Sequence, residues 1–154
     1  MKVVNPATEE IIADLKEDNT SSLQQKFEKL KHGQKKWNAV QLKERVVILK
    51  KFSVLLKENI EELARVLTSE VGKPLQQSRN EVNGACTRIK WLTENAEKYL
   101  SDEVMNEDAN IKEVIHYEAL GVICNISAWN YPYLVGTNVF VPALLAGNAV
   151  MYKP

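Results

Sequence analysis

Charge is distributed very unevenly along this chain. Of its 20 basic and 20 acidic residues, only Lys153 lies within residues 121–154. A long stretch with a single charge belongs in a protein core or in a membrane, because an unpaired charge is costly to remove from water. The uncharged part is longer than the roughly 20 residues that a helix needs to cross a bilayer. Both environments therefore have to be considered.

The residues inside this stretch argue against a membrane helix. Three glycines, together with Pro132 and Pro142, divide it into short pieces, and four asparagines make those pieces polar. Residues 121–126 are rich in β-branched side chains and predict a buried strand. Residues 127–132 predict a turn, residues 133–146 a helix that stops at Gly147, and residues 149–153 a second strand. This order predicts a βαβ unit with two parallel strands buried on both faces.

The first 110 residues predict mostly helix. A turn at residues 5–8, between two pairs of apolar β-branched residues, predicts a small hairpin. Apolar residues at helical spacing then predict four helices, at about residues 19–40, 41–57, 59–70 and 75–99. Residues 101–110, four of which are acidic, predict a loop, and residues 111–117 predict a half-exposed strand. The expected fold class is therefore α/β.

Composition narrows the range of partners and compartments. A formal charge of zero and a pI near 6.7 give no electrostatic reason to expect binding to nucleic acid or to an anionic membrane. The N-terminus lacks the apolar run of a signal peptide, and two cysteines fit a reducing compartment. We therefore expect a cytoplasmic protein with no metal site.

Little in the sequence suggests catalysis by itself. Neither of the two commonest phosphate-binding glycine loops is present. His32 and His116 lie among charged residues, which is typical of surface histidines. Cys86 falls on the apolar side of the fourth predicted helix and Cys124 in the middle of a predicted buried strand. Because an apolar site disfavours the reactive thiolate, we expect both cysteines to be core residues and not nucleophiles.

The turn at residues 128–132 is the best placed candidate site, since open α/β sheets bind ligands at the carboxyl ends of their strands. In one interpretation, which spacing alone favours, Asn130 caps the following helix and Trp129 fills the core. In the other, the Asn130 amide is held between aromatic residues and a proline and donates to a developing oxyanion. Lys153, at the end of the next strand, fits both an ordinary surface lysine and a donor to ligand hydroxyls, and the two interpretations are not exclusive.

Several motifs, in order along the whole chain, resemble the NAD(P)-dependent aldehyde dehydrogenase superfamily. They are NPAT at 5–8, EVGKP at 70–74, LGVI at 120–123, WNYP at 129–132, PALLAGNAV at 142–150 and KP at 153–154. The resemblance implies the N-terminal part of a Rossmann-like cofactor domain. Residues 1–110 would be its hairpin and helical part, residues 111–120 a strand of the oligomerisation type, and residues 121–154 its first βαβ unit. A homo-oligomer is the implied assembly.

The resemblance also implies a reaction and roles for single residues. In this family a cysteine thiolate attacks an aldehyde, a hydride passes to the nicotinamide, and the thioester is hydrolysed. Asn130 would be the side-chain half of the oxyanion hole. Lys153 would hydrogen-bond the adenosine ribose or face a 2′-phosphate, with NAD favoured over NADP. The groove for the cofactor would be lined, partly by backbone groups, by Ile126, Ser127, Ala128 and Trp129.

The chain also departs from the family pattern. Ala119 and Ala128 stand where many relatives have proline, which loosens the expected turn. The family's catalytic cysteine, general-base glutamate and glycine-containing cofactor loop follow a motif like the KP at 153–154, and neither Cys86 nor Cys124 matches the nucleophile's motif. We therefore expect an incomplete domain, the beginning of a longer chain, without aldehyde dehydrogenase activity alone.

A second hypothesis treats the chain as a product without catalysis. It would be a truncated remnant or an interaction module that packs on a full-length relative. In that case a partner has to cover the apolar residues 121–152, since exposed apolar surface of that size promotes association.

Overall fold

The computed structural model describes residues 1–154 as an α/β arrangement of five helices and three two-stranded sheets. In chain order the elements are β1 Lys2–Val4, β2 Ile11–Asp14, α1 Thr20–Asn38, α2 Leu42–Glu58, α3 Ile60–Val71, α4 Leu75–Leu100, β3 Glu103–Glu107, β4 Lys112–Ile115, β5 Val122–Ile126, α5 Pro132–Leu145 and β6 Ala149–Lys153. The predicted N-terminal hairpin, the four helices and the βαβ unit are all confirmed.

The ends of the helices follow local signals in the sequence. At the start of α1, Asn19 accepts from the Ser22 amide while the Ser22 hydroxyl accepts from the Asn19 amide, which satisfies two donors that the helix leaves free. α3 ends at Gly72, whose φ of 76° is in the left-handed region that glycine adopts without strain. A Cβ atom at this glycine would lie 2.8 Å from Cγ of Pro6, so the helix end and the N-terminal hairpin also touch there.

The core is built around the long helix α4. This helix packs on α2, α3 and α5. Its apolar stripe is buried at Val82, Ala85 and Ile89, and meets Val141 from α5. Each large side chain buried in this way stabilises the fold by about 1.5–3 kcal/mol relative to leaving it exposed. α4 is therefore the support on which α5 is mounted.

The β3–β4 hairpin corrects two predictions. Residues 101–110 are not all loop, because Glu103–Glu107 form a strand that pairs antiparallel with Lys112–Ile115. The second strand is exposed along its whole length, not half-exposed. Both faces of the hairpin are open, so its strands accept the acidic residues that made the segment look like a loop. The Asp108 carboxylate closes the turn by accepting from the amides of Asn110 and Ile111.

The βαβ unit is more open than the sequence predicts. β5 and β6 pair in parallel, from Val122 opposite Ala149 to Ile126 opposite Lys153. α1 and α5 both pack against these strands, yet Cys124 is exposed and Ile126 is 73% exposed. Within residues 1–154 the strands do not reach the burial on both faces that a complete parallel sheet would give them. Each strand has only one neighbour here, so the free edges and part of the faces stay uncovered, as expected for an incomplete sheet. None of the five helices combines the length and apolarity that crossing a bilayer requires.

Candidate functional site

The carboxyl ends of β5 and β6 bring together most of the residues singled out from the sequence. The Ser127 amide donates to the Lys153 carbonyl at 3.0 Å, which continues the parallel ladder one step beyond β5. The segment that follows β5 therefore starts directly beside the end of β6. Residues 126–130 and Lys153 lie at one edge of the sheet, as expected for strands that run in the same direction.

Two buried polar side chains anchor the end of β5. The Ser127 hydroxyl donates to Oδ1 of Asn125 at 3.1 Å, and Nδ2 of Asn125 donates to the Gly136 carbonyl in α5 at 3.5 Å. Both residues are buried. The side chain of Ser127 therefore faces the interior, and only its backbone could line a groove for a ligand.

The next residues turn outward. Trp129 is 80% exposed, and Ala128, Asn130 and Lys153 are exposed as well. The interpretation in which Trp129 fills the core is therefore wrong. These side chains form an accessible surface that is apolar at Ile126 and Trp129 and cationic at Lys153.

Asn130 does not cap α5, so that interpretation is also wrong. The N-cap position is Tyr131, which makes no side-chain cap, and Pro132 occupies the first turn. The proline has no amide hydrogen to be capped. The next two amides, of Tyr133 and Leu134, donate to Oε1 of Glu81 at 2.9 and 3.4 Å. A carboxylate from α4 thus does the capping, and it also suits the positive end of the helix dipole.

Glu81 is paired with Lys73, which lies between α3 and α4. Nζ of Lys73 is 2.5 Å from Oε2 of Glu81, whose side chain is fully buried, while that of Lys73 is 11% exposed. The same ammonium group donates to the Asn130 carbonyl at 2.6 Å and lies 4.0 Å from the centre of the Tyr131 ring. The backbone of the candidate oxyanion residue is therefore fixed by a side chain 57 residues earlier in the chain.

A second contact holds the start of α5 to β6. The Tyr152 hydroxyl donates to the Pro132 carbonyl at 3.1 Å. This hydroxyl passes over Gly136, where a Cβ atom would lie 2.3 Å from it. Nearby, burial raises the pKa of the Tyr133 phenol, and the carboxylates of Glu70 and Glu81 raise it further. Tyr133 therefore stays neutral and donates to the Leu63 carbonyl at 3.3 Å.

Sequence reasoning missed the roles of Lys73 and Glu81. In the sequence, Lys73 stands out only as part of the EVGKP motif, and nothing distinguishes Glu81 from the other acidic residues of the helices. A local sign of a special position for Lys73 is that it lies between a helix-ending glycine and a proline, where a side chain leaves the helical surface. Glu81 gives no local signal, because its partners lie 52 and 53 residues further along the chain.

The cysteines and histidines take no part in this site. Cys86 is buried, with Sγ 3.7 Å from the Ser53 carbonyl, as predicted. Cys124 is exposed within β5, so its prediction as a core residue is wrong. His32 is exposed, and His116 pairs with Asp102 beside the β3–β4 hairpin at 2.6 Å. No group of three or more His, Cys, Asp or Glu side chains is arranged to hold a metal ion.

Comparison with known proteins identifies the family and supports the fold. The model of the aldehyde dehydrogenase family matches residues 1–154. Glutarate-semialdehyde dehydrogenase of Pseudomonas putida KT2440 is 32% identical over the whole chain, which spans 32% of that enzyme's length. An aldehyde dehydrogenase of Brucella melitensis biovar abortus 2308 is 31% identical, with a TM-score of 0.90 over 97% of this chain and 31% of that one. A glyceraldehyde-3-phosphate dehydrogenase of Methanocaldococcus jannaschii, solved with NADP, is 25% identical over 97% of this chain and 32% of its own, with a TM-score of 0.91.

The fold thus defines an α/β segment that ends in a parallel βαβ unit. The chain belongs to the aldehyde dehydrogenase family, and it corresponds to the N-terminal part of the family's cofactor-binding domain. It spans about a third of the length of the relatives it matches.

Proposed function

We propose that the polypeptide carrying this chain oxidises an aldehyde to a carboxylic acid with NAD(P), and that Asn130 supplies the side-chain donor for the oxyanion. The observation that carries the proposal is the placement of Asn130 in a member of this family. Its side chain is exposed at the carboxyl edge of two parallel strands, while its backbone carbonyl is held by Lys73. A donor that is already in place when charge develops needs no rearrangement during the reaction.

Asn130 suits this role because an amide is a neutral donor. As a thiolate adds to the aldehyde carbon, negative charge develops on the carbonyl oxygen, and Nδ2 can donate to that oxygen. The side chain is not consumed by capping α5, since Glu81 has taken the two nearest free amides of that helix.

The residues at this edge also fit a nicotinamide dinucleotide, which would accept the hydride when bound. Lys153 offers donors to ribose hydroxyls, and the exposed side chains of Ile126 and Trp129 offer apolar surface to a purine ring. Ala128 lies between them, and Ser127 would contribute through its backbone, because its hydroxyl is bonded to Asn125.

We further propose that NAD is preferred. Lys153 is the only charged residue within residues 121–154. One ammonium group is enough for ribose hydroxyls, whereas a 2′-phosphate carries nearly two negative charges and favours further cations. Because one relative was solved with NADP, the affinities for NAD and for NADP should both be measured first.

We also propose an assembly and a cellular location. We propose a homo-oligomer that forms through the β3–β4 hairpin, because its strands are exposed and keep unpaired edges. A reducing, cytoplasmic location is supported by the two free cysteines. We propose no nucleic-acid partner and no membrane partner.

For residues 1–154 alone we propose no dehydrogenase activity. Cys86 is buried at the Ser53 carbonyl, and Cys124 lies within a strand and not at its carboxyl end. Purified chain that forms NADH from an aldehyde would overturn this part of the proposal.

The alternative, a non-catalytic interaction module, is supported by the exposed apolar surface. Leu120 is 88% exposed and lies close to the exposed Ile126 and Trp129 in sequence. Sizing of purified residues 1–154 separates the two: a monodisperse monomer argues against the module, and a stable complex with a full-length relative supports it.

The main test uses the longer polypeptide that carries this chain. We expect it to reduce NAD with at least one member of a panel of aliphatic aldehydes and dicarboxylic semialdehydes. Asn130→Ala should lower kcat by roughly 10²–10³-fold, as removal of one oxyanion donor does elsewhere. Asn138→Ala is the matched control, since Asn138 is an exposed asparagine in α5. Equal kcat values for the two variants would contradict the role of Asn130.

The role of Lys153 has a separate test. Lys153→Met should weaken NAD binding by about 10-fold or more, because it removes a charged donor to the ribose. Calorimetry with NAD measures this without turnover. Unchanged affinity would mean that Lys153 is an ordinary surface lysine.

A further inference from the structure

The turn between Ser127 and Pro132 has little support of its own. Ser127 is tied to β6 and Pro132 begins α5, but residues 128–131 between them are exposed. An exposed segment of this kind samples several conformations unless a contact holds its middle. In this chain Nζ of Lys73 does so, because it donates to the Asn130 carbonyl and lies over the Tyr131 ring.

The lysine that makes this contact is itself held in place. Its backbone follows Gly72 in the left-handed conformation and precedes Pro74 with φ of −54°, so both neighbours fix the chain direction. Its ammonium group pairs with the fully buried carboxylate of Glu81. Glu81 in turn is bonded to the amides of Tyr133 and Leu134.

The Lys73–Glu81 ion pair holds both the Asn130 backbone and the chain that follows it. Lys73 holds the Asn130 carbonyl and lies over the Tyr131 ring, while Glu81 holds the first turn of α5. Two of the three N–H groups of the ammonium donate to Glu81 and to the Asn130 carbonyl. Because only 11% of the Lys73 side chain is exposed, its position suits holding the turn better than contacting a substrate.

We propose that Lys73 is a positioning residue that, together with Glu81, sets the orientation of the Asn130 side chain toward the reacting carbonyl. The inference rests on the proposed function of Asn130 and goes beyond it, because it assigns a role to residues in the helical region. A shift of about 1 Å in a reacting or stabilising group can cost as much as 10²-fold in rate. A contact that fixes the Asn130 backbone therefore controls how well its amide works.

The test is a double-mutant cycle in the longer polypeptide. We expect Lys73→Met to lower kcat by roughly 10–100-fold and to change the KM for NAD less than about 3-fold. Because Lys73 acts through Asn130, adding Lys73→Met to Asn130→Ala should cause little further loss. If the two losses multiply, Lys73 acts independently of Asn130 and the proposal is wrong.

The matched control is Lys90→Met in α4. Lys90 also pairs with a glutamate, Glu94, but its side chain is 70% exposed. We expect no change in kcat. A loss in this control as large as that in Lys73→Met would show that any change of charge in this region slows the enzyme, and would contradict the proposal.

Further variants keep the test decisive if Lys73→Met does not fold. Lys73→Arg keeps the charge beside Glu81 but changes the reach to the Asn130 carbonyl, so kcat should fall with the same non-additivity toward Asn130→Ala. Glu81→Gln keeps an acceptor for the amides of Tyr133 and Leu134 but removes the ion pair, so it should give an intermediate loss. Wild-type kcat in both variants would overturn the proposal.

A second readout does not depend on activity. Hydrogen exchange followed by mass spectrometry should show faster exchange in peptides covering residues 128–134 of the Lys73→Met protein, and unchanged exchange there in Lys90→Met. If the wild-type polypeptide oxidises no aldehyde, the proposed function fails while this measurement still tests the positioning contact. Unchanged exchange in Lys73→Met would overturn the positioning role itself.

Discussion

Two regions of the molecule each contain a lysine–glutamate ion pair, one of them buried and the other exposed. At the start of α5, Lys73 and Glu81 form an ion pair that is almost completely removed from water. In the β3–β4 hairpin, Lys112 and Glu107 pair across two strands with side chains that are 52% and 59% exposed. Surface pairs of this kind contribute little to stability, whereas a buried pair cannot lose one member without leaving an uncompensated charge.

The difference shows where the fold depends on single residues. The buried pair also connects three elements, because its atoms reach the end of α3, the body of α4 and the first turn of α5. The hairpin pair connects only two neighbouring strands. A buried charge therefore specifies how elements are placed, while an exposed one mainly keeps a surface hydrated.

The largest expected effect is the loss of Glu81. Glu81→Ala leaves the Lys73 ammonium and the amides of Tyr133 and Leu134 without their partner, and should destabilise the protein by about 3–5 kcal/mol. Urea denaturation measures this change. The matched control, Glu107→Ala in the hairpin, should leave the denaturation midpoint unchanged within error at a protein concentration low enough to keep the chain monomeric. Similar losses in both variants would remove the distinction between the two regions.

The apolar counterpart of this comparison uses two isoleucines. Ile89 in α4 is completely buried and contacts the core cluster, while Ile115 in β4 is exposed. Ile89→Ala should cost about 2–5 kcal/mol, because it removes buried methyl groups and leaves a cavity. In the monomeric chain, Ile115→Ala should cost well under about 1 kcal/mol, since surface changes rarely exceed that. If thermal denaturation shows a larger loss of stability in Ile115→Ala than in Ile89→Ala, α4 is not the centre of the core.

Two helical glycines, one in a crowded position and one in an open position, can be compared by replacing each with alanine, which adds one methyl group. At Gly136 in α5 a Cβ atom would lie 2.3 Å from the Tyr152 hydroxyl, whereas at Gly33 in α1 no atom lies within 4 Å. Gly136→Ala should therefore destabilise by about 1–3 kcal/mol. Gly33→Ala should stabilise by up to about 1 kcal/mol, because alanine favours the helix. Opposite shifts in Tm are expected, and shifts of the same sign would contradict the close approach of β6 to α5.

Most of the fold could be predicted because its signals are local. The helices repeat apolar residues at helical spacing, α3 stops at a glycine, and a β-branched run precedes the WNYP turn. β3 could not be predicted in this way, because an exposed strand needs no apolar face and its acidic residues resemble those of a loop. The exposure of Cys124 was also missed, since burial of a strand depends on its neighbours and β5 has only one.

The candidate site could be predicted only in part. The positions of Asn130 and Lys153 at the carboxyl ends of the parallel strands follow from the predicted βαβ order, while their functional roles stay predictions. The cap of α5 was assigned wrongly to Asn130, because local reasoning searches within a few residues of a helix start. The actual acceptor, Glu81, lies about 50 residues earlier, and only the packing of α4 on α5 brings it there. Contacts between residues far apart in the chain are thus the least visible part of a sequence.

The smallest expected effect is a pH dependence confined to the hairpin. Hydrogen bonds from the backbone amides of Asn110 and Ile111 lower the pKa of the Asp108 carboxyl below its ordinary value. The ionised form therefore stabilises the turn. That contribution is complete above the ordinary pKa of aspartate and is lost as the pH falls through the lowered pKa of the folded state.

Asp108→Asn tests this prediction. The asparagine keeps an oxygen that can accept from the two amides but does not titrate in this range, so the acid dependence should disappear while the turn persists at neutral pH. NMR of the Ile111 amide from neutral to strongly acidic pH measures both properties. The amide shift should titrate in the wild-type protein and remain flat in the variant, whereas the start of α5 should be unaffected by the substitution. A titration of the same size in both proteins would mean that another group controls the turn.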